Sequence, residues 1–151
     1  MSSLTLTQSD YCKTPGWLLQ KFKGYFDPCP ENPAFDGLAI PWKKLNYVNP
    51  PYSNKIPWIK KAIEEMSRGN KTIMLLPSAT DAAWFHDLIV PNFDIEFMRG
   101  RLKLDNGKHP KYGSMLVTTT NKIQQDKLCK FCFKRIKDHN ITELQACLIE
   151  A

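Results

Sequence analysis

The sequence predicts an α/β fold: a three-layer sandwich around a mainly parallel sheet. Strand-like and helix-like segments alternate along the chain. The run Ile73-Met74-Leu75-Leu76 is apolar without alternation, the pattern of a strand buried on both faces. With 151 residues, there is room for one core of ordinary domain size.

Each element has a local reason. Residues 1–13 are polar. Thr14-Pro15 suits a helix start, with Thr14 as cap and Pro15 in the first turn. Trp17, Leu18 and Phe22 give that helix an apolar side. Tyr25-Phe26 reads as a short strand stopped by Asp27-Pro28-Cys29-Pro30. Residues 30–43 are irregular, and Leu45 to Val48 form the next strand. Ile56 to Arg68 reads as a helix with Ile56, Ile59, Ile63 and Met66 inward, ended by Gly69-Asn70. Thr72 to Leu76 is a strand. Ala79 to Val90 is a helix with Trp84, Phe85 and Leu88 inward. Strands follow at Phe93 to Met98 and Ser114 to Thr119. Residues 121–138 read as a basic helix and 141–150 as a short last one.

Hydrophobic residues make up 42% and charged residues 24%, which excludes a disordered or collagen-like chain. No apolar run approaches the roughly 20 residues that span a bilayer, so no membrane association is expected. The N-terminus carries no secretory pattern. Twenty-one Lys and Arg against fifteen Asp and Glu give +6, which favours an anionic partner such as nucleic acid. Five scattered cysteines without a leader indicate reduced thiols and a cytoplasmic location. Cys129, Cys132, His139 and Cys147 are a conceivable zinc set. Their spacing fits two thiols on an apolar helix face better, so no metal is expected.

Right-handed crossovers would put Asp27 and Asn49 at the carboxyl ends of neighbouring strands, where open α/β sheets bind ligands. Asn49-Pro50-Pro51-Tyr52 follows its strand directly. An amide oxygen and a backbone carbonyl can each accept one N–H of an amino group. That orients the nitrogen lone pair and stabilises positive charge as it builds. The prolines constrain the turn and add no competing donor. A tyrosine ring can stack on a flipped base. The bland alternative is a proline-rich turn ending a strand.

With these segments in order, the chain resembles the phage-type DNA N6-adenine methyltransferases, the small Dam-like family of phages and prophages. The resemblance rests on Thr14-Pro15-x-Trp17, Phe26-Asp27-Pro28-Cys29, Asp36-Gly37-Leu38 with Pro41-Trp42, and Val48 to Ser53. It continues through Trp58-Ile59-x-Lys61-Ala62, Leu76-Pro77 with Thr80-Asp81-x-x-Trp84-Phe85, Gly100-Arg101-Leu102 and Gly113-Ser114-x-Leu116-Val117. It covers residues 14–119. It implies a Rossmann-like methyltransferase fold, reduced in size, with S-adenosylmethionine as donor and adenine in DNA as acceptor. Two departures stand out. No G-x-G loop follows the first strand, and only about twenty residues separate Asp27 from Asn49.

The resemblance, strand-end position and, beyond residue 119, positive charge set the expected roles. Asn49, Pro50, Pro51 and Tyr52 form the catalytic turn. Asp27 takes the cofactor's ammonium or ribose, and Thr14, Pro15, Trp17, Pro28, Asp36 and Asn49 line the cofactor pocket. Ser53, Arg99, Arg101, Lys130 and Lys134 are candidates for DNA contact. Residues 14–120 form the methyltransferase core, and 121–151 a basic helical extension of the same domain. No target-recognition domain is evident. Specificity is then weak, or comes from loops or from a second subunit, whether a homodimer mate or a partner chain. Alternative readings are a catalytically silent nucleic-acid-binding subunit and an amino-methyltransferase acting on RNA or on protein glutamine.

Overall fold

The computed structural model describes residues 13–120. Four strands form one open sheet: β1 (Leu45–Val48), β2 (Lys71–Pro77), β3 (Phe93–Phe97) and β4 (Ser114–Thr119). The helices are α1 (Gly16–Lys21), α2 (Lys55–Ser67) and the short α3 (Val90–Asn92), which a π-helical turn, Phe85–Ile89, precedes.

The sheet order is β1-β2-β4-β3. β1 and β2 are parallel, joined through α2, with Asn46 opposite Thr72 and Val48 opposite Met74. β4 is antiparallel to both of its neighbours. The sheet is therefore mixed rather than mainly parallel in its ladders. The reason lies in residues 98–113, which join β3 to β4 without any helix to carry a crossover. The expected first strand at Tyr25-Phe26 is a single parallel bridge, Phe26 to Asn46, beside β1.

Alternation along the strands divides the core. Val48, Met74, Leu76, Met115 and Val117 pack with Trp58, Ile59 and Ala62 of α2 and with Phe85 and Ile89. Tyr47 and Leu75 pack on the other face with Leu18 of α1 and with Leu102. Among the described residues both faces are covered, the second by a six-residue helix and a loop.

Some local expectations need correction. Thr14 does not cap α1; Pro15 stands at the cap position and no side chain closes it. Trp17 is 51% exposed, while Leu18 carries the burial. The inward face of α2 is Trp58, Ile59, Ala62 and Glu65, so the stripe is rotated from the expected Ile56 and Met66. Trp58 pulls it round by stacking on Trp42, with ring centroids 6.3 Å apart. The next helix begins at residue 83, not 79, and widens into the π turn. Pro91 in α3 has no N–H to continue an ordinary ladder, and the Val90 N–H reaches back to Phe85.

Glu65 is fully buried and anchors the end of α2. Its carboxylate takes bonds from Asn70 Nδ2 at 2.7 Å and Arg68 Nη1 at 3.0 Å, and pairs with Lys61 Nζ at 3.2 Å. Burial alone would raise its pKa. The bonds from Asn70, Lys61 and the Trp42 backbone, with the Lys61 charge, outweigh that and hold it below the ordinary value of 4.5. This contribution to stability is complete above that ordinary value and is lost as pH falls through the lower folded one. Glu65→Ala strands a nearly buried lysine, so we expect a loss of about 3 kcal/mol in urea unfolding at pH 7. The gap between variant and parent should shrink as the pH drops below 4.5.

Candidate active site

The Phe26–Asn46 bridge and the β1–β2 register bring Asp27 and Asn49 to the same edge of the sheet. Asn46 locks this arrangement. It is fully buried; its Oδ1 accepts from Lys43 N at 2.9 Å, and its Nδ2 donates to Lys43 and Lys71 carbonyls at 2.7 and 3.1 Å.

Beyond β1 the chain turns at Asn49, through buried Pro50 and Pro51, into a 3-10 turn, Tyr52–Asn54, that opens α2. Lys55 fastens this turn. Its Nζ donates to the Tyr52 carbonyl at 2.8 Å and lies 5.1 Å over the Trp84 ring. Strand alternation puts Tyr47 and Asn49 on one side of the chain, and there they meet Thr14. Asn49 Nδ2 donates to Thr14 Oγ1 at 3.0 Å, and Thr14 Oγ1 lies 3.1 Å from the Tyr47 hydroxyl.

Three segments surround a cavity of about 290 Å³. Pro28 and Cys29 come from the first, Asp36 and Gly37 from the second, and Pro51 and Asn54 from the turn after β1. That is close to the lower size of small-ligand sites, roughly 300 Å³. Gly37 makes the convergence possible. A Cβ there would lie 1.8 Å from the Pro28 carbonyl oxygen, and the Gly37 carbonyl accepts Trp42 Nε1 at 2.7 Å. Asp36 also serves its own turn: its Oδ1 accepts from Leu38 N at 2.9 Å.

Asp27 borders a neighbouring cleft with Tyr25, Lys43 and Lys44. Its Oδ1 accepts the Cys29 N–H at 2.9 Å. Burial pushes its pKa above the ordinary value, and the Cys29 bond offsets this in part. Burial and the Asp27 charge push the Cys29 thiol up to about 12. Tyr47 is likewise pushed up to about 12, by burial first; the Thr14 bond opposes the shift and the Asp27 charge adds to it. Neither group ionises at neutral pH, so Cys29 is no thiolate nucleophile.

The remaining expected residues are spread out. Ser53 is exposed in the middle of the 3-10 turn. Arg99 and Arg101 are exposed on the β3–β4 connection, where Arg101 Nη1 donates to the Pro110 carbonyl at 3.4 Å. Lys130 and Lys134, and the zinc candidates Cys129, Cys132, His139 and Cys147, lie outside the described residues. Among the described residues no His, Cys, Asp or Glu cluster could hold a metal ion, and no helix is long and apolar enough to cross a membrane. Sequence reasoning missed Tyr47, Lys55 and the close approach at Gly37. Tyr47 was readable, because it stands two residues before Asn49 in a strand.

Residues 32–133 match the family model described as DNA N-6-adenine-methyltransferase (Dam). The chain belongs to this family. The match holds Asp36, the Asn49–Tyr52 turn, Arg99 and Arg101; Thr14 to Trp17 and Asp27 precede it. A DNA N-6-adenine-methyltransferase of Escherichia phage T1 is 48% identical over 46 residues, 29% of this chain and 19% of that protein. One from Haemophilus phage HP1 (strain HP1c1) is 26% identical over 108 residues, 60% of this chain and 62% of that protein. The aligned stretch thus spans less than two thirds of either relative. No solved structure matches the chain significantly.

The cavity rests on a position where a side chain cannot fit. Gly37→Ala forces the Asp36-Gly37-Leu38 loop off Pro28, because the contact is with backbone. Overpacking of this kind costs about 1–3 kcal/mol. Urea unfolding should show that loss, and parent-like stability would mean the loop is not held there.

Proposed function

We propose that this protein transfers the methyl group of S-adenosylmethionine to the exocyclic N6 of adenine in DNA. One observation carries the reading: a strand-end Asn-Pro-Pro-Tyr turn, whose Pro51 shares a cavity wall with Pro28 and Asp36, stands at the same edge of the sheet as a half-buried carboxylate. Family membership and the phage relatives support the substrate.

The residues fit the cofactor. Asp27 is an ionisable group whose charge is disfavoured by burial and not paired by any ion contact among the described residues. A ligand ammonium would offset that cost. Asp36 and the prolines of the cavity suit a ribose and an apolar ring. When bound, S-adenosylmethionine supplies an electrophilic methyl on a sulfonium.

The chain then needs only to hold the acceptor nitrogen. Its lone pair is delocalised into the ring, so it must be turned toward the methyl. Asn49 Oδ1 and the Pro50 carbonyl accept its two N–H bonds, and positive charge on nitrogen strengthens both. The Tyr52 ring stacks on the flipped base. No covalent enzyme intermediate forms: the new N–C bond replaces the S–C bond, and the surplus proton on nitrogen is released to water, so positioning supplies the rate. The β3–β4 connection is the DNA-facing element in this reading. Arg99, Arg101, Lys103, Lys108 and Lys111 all stand exposed on it, against one acid, Asp105. Exposed Phe97 and Tyr112 flank it.

Two variants separate the roles. Asn49→Ala removes one acceptor, so the transfer rate should fall roughly 10²–10³-fold while calorimetric affinity for S-adenosylmethionine holds. Asp27→Asn should do the reverse and weaken cofactor binding first. Unchanged transfer by Asn49→Ala overturns the mechanism.

A further inference from the structure

Asn54 stands where a helix cap is expected and caps nothing. It precedes α2, and asparagine is a strong cap because its side-chain oxygen takes an N–H from the second or third helical residue. The third residue here is Pro57, which has no N–H to give. The Asn54 backbone, at φ −128° and ψ 41°, is not that of an ordinary cap either, and its side chain makes no capping bond. Its position is held all the same. The Asn54 backbone N–H donates to the Pro51 carbonyl at 3.0 Å.

The amide instead borders the cavity of about 290 Å³. Among the described residues that line it, only Asp36 and Asn54 carry a side-chain oxygen. Phe35 and Trp58 bring aromatic rings to the same wall. Phe35 is 36% exposed, and Phe26 backs its ring with centroids 6.1 Å apart and an interplanar angle of 23°. A large, supported ring left that exposed beside a cavity offers a flat ligand a surface to cover.

A flat heterocycle seated there meets one amide. Both hydrogen-bonding edges of adenine place an amino donor beside a ring-nitrogen acceptor. A side-chain amide matches that pair with its own oxygen and nitrogen, and it turns to suit the edge offered. Asp36 supplies the second polar group. Its Oδ1 holds the Leu38 N–H, and no described residue bonds to its Oδ2, which leaves that oxygen for a sugar hydroxyl. A ribose has vicinal hydroxyls to offer, whereas the sugar of DNA lacks the 2′-hydroxyl. The cavity therefore suits the adenosine of the cofactor better than a nucleotide of the substrate.

We propose that Asn54 is a specificity-determining residue: its side-chain amide reads the adenine ring of S-adenosylmethionine while Asp36 holds the ribose. This rests on the functional reading given above, which left the cofactor's base without a polar partner.

The test uses the full chain without DNA. Calorimetry compares S-adenosylhomocysteine with S-inosylhomocysteine, whose ring carries an oxygen in place of the amino group. The parent should bind the adenosyl compound about ten- to a hundredfold more tightly, the discrimination of a good bidentate amide pair. Asn54→Ala should lose most of that preference, through weaker binding of the adenosyl compound. Asn54→Leu, which keeps the size, should lose it as well. The thermal midpoints of both variants should match the parent's, since no capping bond is lost. Parent-like preference in either variant overturns the proposal. A lowered midpoint in both would mark Asn54 as structural and overturn it too. Parent-like affinity for S-adenosylhomocysteine in Asn54→Ala, with methyl transfer lost, would place the ring it reads in the DNA, again against the proposal. A parent that binds the two compounds equally sinks the assignment of Asn54 alone. A parent that binds neither sinks the functional reading.

Discussion

The parallel register of Phe26, Asn46 and Thr72 is the constraint on which the rest depends. Fixed side by side, these residues bring two neighbouring segments to one edge of the sheet. A slip of one residue would turn each side chain to the opposite face. Val48 would then leave the core under α2, and Tyr47 and Asn49 could no longer reach Thr14. Asn46 guards the register with three side-chain bonds to backbone groups of Lys43 and Lys71. A residue with no direct view of the site thus sets its geometry.

Two of the groups at that edge stay neutral. Burial and the Asp27 carboxylate keep both Cys29 and Tyr47 protonated. Asp27 itself is disfavoured as an anion. Such a site holds no poised base or nucleophile among these groups. It offers one costly negative charge and several directed hydrogen-bond groups, which in the proposed reading hold a cation and aim a nitrogen. The cost sits in the free protein and would be relieved by the ligand.

Much of the fold was legible locally. β1 and β4 fall where the sequence puts them, because each is a run of strand formers bounded by turn residues. β2 extends the expected segment by a residue at each end. Gly69, at φ +81°, ends α2 as a left-handed residue should. What was not legible depended on contacts far along the chain. Thr14 looks like a cap because a threonine before a proline usually is one, yet its hydroxyl is claimed by residues 33 and 35 positions away. Gly37 looks like an ordinary Asp-Gly turn, and only its approach to Pro28 shows why glycine is needed. The direction of β4 was readable and was missed, since residues 98–113 carry no helical pattern to support a parallel crossover. At the site, the turn at Asn49 follows its strand as the sequence implies, and Tyr47 was readable two residues before it, but the fastening of the turn by Lys55 was not.

The most direct measurement is nucleoside analysis of DNA after incubation of the protein with S-adenosylmethionine carrying a deuterated methyl group. The account predicts deuterated N6-methyl-2′-deoxyadenosine in the digest and no methylated cytosine. Digests without any labelled nucleoside, from mixed-sequence duplexes and under conditions where calorimetry shows the cofactor bound, would contradict it.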